Sequence, residues 1–87
     1  MPARNDMQKY RSHKEVHALK IAGVEINEDG SATIAPSDER LGVFTTDAGW
    51  ADRFKGGEED LGYYVVYEDG YASWSPTAAF EGGYTAL

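Results

Sequence analysis

GYYVVYEDGYASWS, residues 62–75, is the stretch that decides the fold. It gathers five of the chain's eleven aromatic residues into two β-favouring runs around Asp69-Gly70. An Asp-Gly pair tolerates the positive φ angles of a tight type I′ turn, so the stretch reads as a β-hairpin closed by two residues. That turn sets Glu68 opposite Tyr71, Tyr67 opposite Ala72, Val66 opposite Ser73, Val65 opposite Trp74 and Tyr64 opposite Ser75. Side chains alternate along a strand, so Tyr63, Val65, Tyr67, Ala72 and Trp74 share one face. Tyr64, Val66, Glu68, Tyr71, Ser73 and Ser75 share the other. The first face is apolar and is assigned to the core; the second is expected to meet a partner, with Tyr64 and Tyr71 as its aromatic anchors.

Working outward, Val16 to Ile26 makes a strand whose alternation slips at Gly23, the mark of a bulge or bend. Asn27 to Ser31 is a turn and Ala32 to Ala35 the returning strand, stopped by Pro36. Ser37 to Arg40 is a loop or single helical turn, and Leu41 to Thr45 holds a short strand. Asp47 reads as the N-cap of a short helix over residues 47–55, with Trp50, Ala51 and Phe54 on one face. Ser75-Pro76 starts a second short helix, with Ser75 accepting from its first backbone donors, Phe80 turned inward and Gly82-Gly83 at its end. The chain is therefore expected to be α+β: an antiparallel sheet of four or five strands, two hairpins among them, covered by one or two short helices. Trp50, Phe54, Val65, Tyr67, Trp74 and Phe80 are expected in its core.

Eighty-seven residues give one domain, which leaves little room for a deep enclosed pocket. Residues 1–13 are polar and aperiodic and read as a flexible basic arm, with residues 14–87 as the domain. The chain has no cysteine, so neither disulfides nor thiolate metal sites are open to it. It also lacks an apolar run of membrane-spanning length and a signal peptide, which points to an intracellular, cytoplasmic protein.

Charge is divided along the chain. Residues 1–20 hold five Lys/Arg against two acids, a balance of +3, whereas residues 21–87 hold three against thirteen, a balance of −10. So acidic a body repels phosphate backbones, and no direct nucleic-acid binding is expected. Solubility alone would explain the acidity; a sharper explanation is a face that docks on a basic surface.

No chemistry-bearing motif stands out. Asn27, Asp29 and Ser31 have the alternate spacing of a calcium loop, but Pro36 stands where the bidentate Glu belongs, so neither a metal nor a cofactor is expected. His13 and His17 are the only imidazoles, with no patterned acid or nucleophile beside them. Ser73, Ser75 and Thr77 lack a nucleophile elbow. The inventory is that of a protein that is not an enzyme.

Both ends of the chain resemble a group of small proteins of tailed bacteriophages and prophages that has no established activity. The resemblance rests on Tyr10, Ser12, Lys14, Val16 and Ala18 in the first part, and on Gly62 to Tyr67, Asp69 to Tyr71, Ser75-Pro76, Ala79 to Glu81, Gly83 and Tyr84 in the last. Gly70, Pro76 and Phe80 have evident structural reasons, whereas Tyr71, Glu81 and Tyr84 do not. The resemblance implies a phage-encoded accessory protein acting in the host cytoplasm. Together with the acidic balance it leads to a non-enzymatic protein that binds a host protein or protein–nucleic-acid complex and antagonises or modulates it, a CRISPR-type defence complex being one candidate target. The residues expected to carry binding are Glu58, Glu59, Asp60, Glu68 and Asp69 for charge, with Tyr64 and Tyr71. Two alternatives stay open: an oligomeric binder of a nucleotide signal, using Arg40, Arg53 or the arm lysines for phosphate, and a virion or assembly component. Edge strands make a homodimer compatible with each.

Overall fold

The computed structural model describes residues 2–11 and 15–87. Among the described residues the strands are β1 (Gln8–Arg11), β2 (Glu15–Ile26), β3 (Ala32–Pro36), β4 (Phe44–Thr45), β5 (Tyr63–Val66), β6 (Ala72–Ser75) and β7 (Thr85–Ala86), and an α-helix, α1, spans Thr77–Gly83. Single 3-10 turns lie at Arg4–Asp6, Glu39–Leu41 and Trp50–Asp52. The α+β outline holds, with seven strand segments in place of the expected four or five. All pairings are antiparallel; the path runs β4-β3-β2-β1-β7, and β5 with β6 branches from β2.

The twelve-residue β2 serves three neighbours, pairing with β1 and β5 along its first half and β3 along its second. The irregularity expected at Gly23 is present: Ile21 pairs with Pro36 and Gly23 with Ala35, leaving Ala22 unmatched. One extra residue reverses the side-chain alternation. Leu19 and Ile21 before the bulge and Val24 after it therefore serve the same hydrophobic cluster.

Both Glu-Asp-Gly turns close in the same way; the turn expected over Asn27 to Ser31 is present, whereas the one at Asp69-Gly70 is not the expected two-residue turn. Tyr67 N–H donates to Tyr71 O (3.0 Å) and Gly70 N–H to Tyr67 O (2.9 Å). At the β2–β3 turn Asn27 N–H donates to Ser31 O (2.9 Å) and Gly30 N–H to Asn27 O (3.2 Å). These are three-residue loops ending in a left-handed glycine, with φ of 88° at Gly70 and 87° at Gly30. A type I′ turn would need positive φ at Asp69 too, and among the described residues only glycines have it. Each aspartate instead accepts the N–H two residues on, Tyr71 at 2.9 Å and Ser31 at 2.9 Å.

The longer loop slips the hairpin by one residue. Val66 pairs with Ala72, Val65 with Ser73, Tyr64 with Trp74 and Tyr63 with Ser75. Because the side-chain period is two, the slip changes the partners across the ladder: Tyr64, Val66, Ala72 and Trp74 join one cluster, with Trp50, Phe44 and Ile34, while Tyr63, Val65 and Tyr67 join another around Val16 and Phe80. Every residue of β5 is buried. A strand covered on both faces needs a continuous apolar run, which is what Tyr-Tyr-Val-Val supplies. The six residues expected to meet in one core divide accordingly, Trp50, Phe54 and Trp74 in the first cluster and Val65, Tyr67 and Phe80 in the second.

Two expectations are corrected further. The helix over 47–55 reduces to the Trp50–Asp52 turn, because Gly49 takes φ 100° and the N–H groups of Gly49 and Ala51 both donate to Gly30 O (2.8 and 3.0 Å). These bonds dock the segment on the β2–β3 turn, and Trp50 is wholly buried, its indole N–H donating to Ser73 O (3.1 Å). The arm expected over residues 1–13 is part of the fold where it is described: β1 pairs with β2 and β7, Met7 is buried, and Tyr10 sets its edge against Phe80 (4.8 Å). The start of order expected near Lys14, and His13 beside it, lie outside the described residues. No helix among the described residues is long and apolar enough to cross a membrane.

Candidate functional site

The three-residue loop projects Glu68 and Asp69 at the tip of the β5–β6 hairpin and makes Tyr67 and Tyr71 its closing pair. Their rings lie within 16° of parallel with centroids 6.3 Å apart, and Tyr71 is 48% exposed. Arg53 supports this wall from the Trp50–Asp52 segment. Its guanidinium carbon sits 4.5 Å from the Tyr71 ring centre, while Nη1 donates to Ala72 O (2.9 Å) and reaches Asp47 Oδ1 (3.4 Å). Glu15, at the start of β2, completes an open cleft of about 370 Å³ lined by Glu15, Tyr67, Glu68, Asp69 and Tyr71.

The charges around the cleft are unequally committed. Glu15 is held by Lys9 Nζ (2.7 Å) and Arg11 Nη2 (3.5 Å), and the hydrogen bond from Lys9 leads in holding its carboxyl below the ordinary range. Arg4 donates to the backbone oxygen of Glu68 (2.8 Å), not to its carboxylate. Among the described residues neither the Glu68 carboxylate nor Asp69 forms an ion pair, so the uncommitted charge at the cleft is negative. A smaller cleft of about 280 Å³ continues past Glu15 and Glu68 to Arg4, Lys9 and His17. There burial first, then the charges of Arg4 and Lys9, lowers the His17 pKa and favours the neutral imidazole.

The seven residues expected to bind do not form one surface. Glu68, Asp69 and Tyr71 converge at the tip. Tyr64, assigned to the partner face, is 2% exposed and packs against Phe44 (5.0 Å) and Trp50 (5.7 Å); the face expected to be open is covered by a hydrophobic cluster of its own. Asp60 is half-buried and serves the neighbouring helix. Its Oδ1 accepts from Thr77 Oγ1 (2.7 Å) and its carboxylate from Thr77 N–H (3.2 and 3.3 Å), satisfying the first turn of α1. Ser75 does not serve as the expected cap; its hydroxyl donates to Pro76 O (3.2 Å). Glu58 and Glu59 are exposed at the other end of β5, beside Asp60 and Lys20. At about 3.3 Å of rise per residue, they lie on the order of 20 Å from the tip.

Tyr67 and Glu15 belong to the site but were missed, and Arg53, named only as a phosphate ligand in the alternative reading, supports its wall. Tyr67 was assigned to the core face, and it does pack against the cluster around Val16 and Phe80; a three-residue reading of Glu68-Asp69-Gly70 would in addition have paired it with Tyr71 at the tip. Glu15 and Arg53 reach the tip through tertiary contacts and carry no local signal. Of the three residues without an evident structural reason, two acquire one. Glu81 accepts from Tyr63 Oη (2.7 Å), and Tyr84 stacks on Phe80 (4.6 Å, 13°), which itself stacks on Tyr63 (4.3 Å). Tyr71 keeps its exposed ring.

The calcium-like spacing is occupied by the turn itself. Asp29 Oδ1 accepts from Ser31 N–H (2.9 Å) and Oγ (2.6 Å), and Asn27 Nδ2 donates to Ser31 Oγ (3.0 Å) and Thr33 Oγ1 (3.3 Å). The acidic and aromatic cleft can accept a cation: ring faces attract positive charge, and the Glu68 and Asp69 carboxylates can receive its N–H groups. The chain matches no protein-family model, and no curated protein or solved structure matches it either.

Proposed function

We propose that the chain is a non-enzymatic binding protein that engages a basic surface of a host macromolecule through the hairpin tip, and thereby antagonises or modulates that host factor. The cleft of Glu15, Tyr67, Glu68, Asp69 and Tyr71 carries the proposal, because it joins the exposed Tyr71 ring to the Glu68 and Asp69 carboxylates, which have no ion-pair partner among the described residues. The −10 balance of residues 21–87 supports it, since a negative body steers a basic partner toward the tip. The resemblance to phage proteins makes the partner a host factor, and a nucleic-acid-handling defence complex has the required basic surface.

Affinity capture from bacterial lysate, with the wild-type chain and two charge-reversed variants at low and high salt, tests the proposal. Glu68→Lys with Asp69→Lys should lose a partner that Glu58→Lys with Glu59→Lys retains, and salt should weaken its retention. A partner held equally by both variants and insensitive to salt would refute this role for the tip.

A further inference from the structure

We infer that the cleft at the hairpin tip is an arginine receptor, taking the guanidinium of a partner's basic segment against the Tyr67–Tyr71 wall. The inference rests on the proposed binding role and specifies the chemistry of its ligand. A compact ammonium needs only negative charge, whereas a planar guanidinium also gains from a flat ring and from carboxylates that can accept several N–H groups. The cleft offers both features. Tyr67 and Tyr71 are within 16° of parallel, and among the described residues Glu68 and Asp69 carry carboxylates without ion-pair partners. The chain already demonstrates the contact within itself, since Arg53 lies over the Tyr71 ring at 4.5 Å.

Among the described residues, the neighbouring cations favour an incoming charge and not an internal one. Lys9 and Arg11 are held at Glu15, Arg4 at the Glu68 backbone, and Arg53 at Ala72 O and Asp47. Each of these is fixed by another partner, which among the described residues leaves the Glu68 and Asp69 carboxylates for a guest. Half-exposed Tyr71 presents the ring area that the guest would cover. The occupant is thus an arginine-bearing peptide segment.

The test is calorimetric titration of the whole protein with a capped Gly-Ser-Arg repeat peptide and with the same peptide carrying Lys for Arg. At low salt the arginine peptide is expected to bind about tenfold more tightly or better, as stacking and forked hydrogen bonding add to charge. Tyr71→Ala should abolish that preference and Tyr71→Phe should keep it, with circular dichroism establishing that both variants fold. Equal binding of the two peptides, lost in the Glu68→Gln, Asp69→Asn double variant, would overturn the arginine inference and leave the cation-binding role standing. Arginine preference that survives Tyr71→Ala would also overturn it. Binding of neither peptide would overturn both the inference and the cation-accepting role of the cleft.

Discussion

Replacing Tyr64 and, separately, Tyr71 by alanine distinguishes the observed hairpin from the register that a two-residue turn would impose. Tyr64 is 2% exposed, with its ring against Phe44 at 5.0 Å and Trp50 at 5.7 Å. Truncating a buried aromatic costs about 3–5 kcal/mol, the lost transfer energy and the cavity acting together. A chain of 87 residues has roughly 4–13 kcal/mol of stability in all, so Tyr64→Ala removes roughly a quarter of it at the least. Tyr71 is half-exposed, and its loss forfeits mainly the Arg53 contact, about 0.5–1 kcal/mol. Urea unfolding followed by tryptophan fluorescence measures both effects, since Trp50 and Trp74 belong to the same cluster as Tyr64. If Tyr64→Ala does not fold, Tyr64→Leu should still show a loss of about 1–3 kcal/mol. Small and equal losses at positions 64 and 71 would refute the register, because they would put both rings on one solvent-facing side.

Three further outcomes follow from individual contacts. Gly62→Ala should cost more than about 2 kcal/mol, since φ is +70° and a Cβ there would collide with Ser75 O and the Trp74 indole. Gly82→Ala in α1 meets nothing within 4 Å and should instead gain about 0.5–1 kcal/mol, so thermal denaturation of the pair should move in opposite directions. Asp60→Ala should lower the thermal midpoint and reduce the helical signal, with Thr77→Val giving a smaller change because Thr77 N–H keeps its acceptor; no change in either variant would contradict the capping role. Acid should destabilise the fold. Hydrogen bonds lower the carboxyl pKa of Glu15 from 4.5, of Asp29 and Asp60 from 3.8, and of Asp38, beside Arg40, from 3.8 to about 2. Folded values below unfolded ones mean that the unfolded chain takes up protons first, so this stability is present above about pH 4.5 and is lost as the pH falls toward 2. His17, lowered from 6.5, acts in the same sense at a higher pH. A midpoint that rises between pH 6 and pH 2 would contradict these shifts.

The local grammar of the chain was legible and its register was not. Both hairpins, the break at Gly23 and the helix after Pro76 follow from residues that leave the backbone few choices: an Asp-Gly turn, a slipped alternation and a proline with fixed φ. Asp-Gly alone, however, suits both a two-residue turn with two positive φ angles and a three-residue loop with one. Asp69 accepting from Tyr71 N–H goes with the second. That single residue of slip put Ala72 and Trp74 on the face of Tyr64 and set Tyr67 opposite Tyr71, while burial of Tyr64 follows from the cover on both faces of β5. The Trp50–Asp52 turn was mistaken for a helix because the spacing of Trp50 and Phe54 suits one, while the deciding bonds to Gly30 O join segments about twenty residues apart. Likewise β7 is too short to be signalled locally and exists through its pairing with β1. At the site, exposed acids were readable as acids, but whether each caps a helix, as Asp60 does, or lines a cleft, as Glu68 does, depends on tertiary placement.

The most direct test of the account is a nitrogen-15 amide NMR titration of the full chain with the arginine-bearing peptide, because it locates the binding surface whatever the affinity. The account predicts shift changes at Glu15 and from Tyr67 to Tyr71, spreading to Arg53, while residues 57–61 and 77–81 at the far end of β5 stay still. Changes centred on Glu58, Glu59 and α1, or none at all, would contradict it.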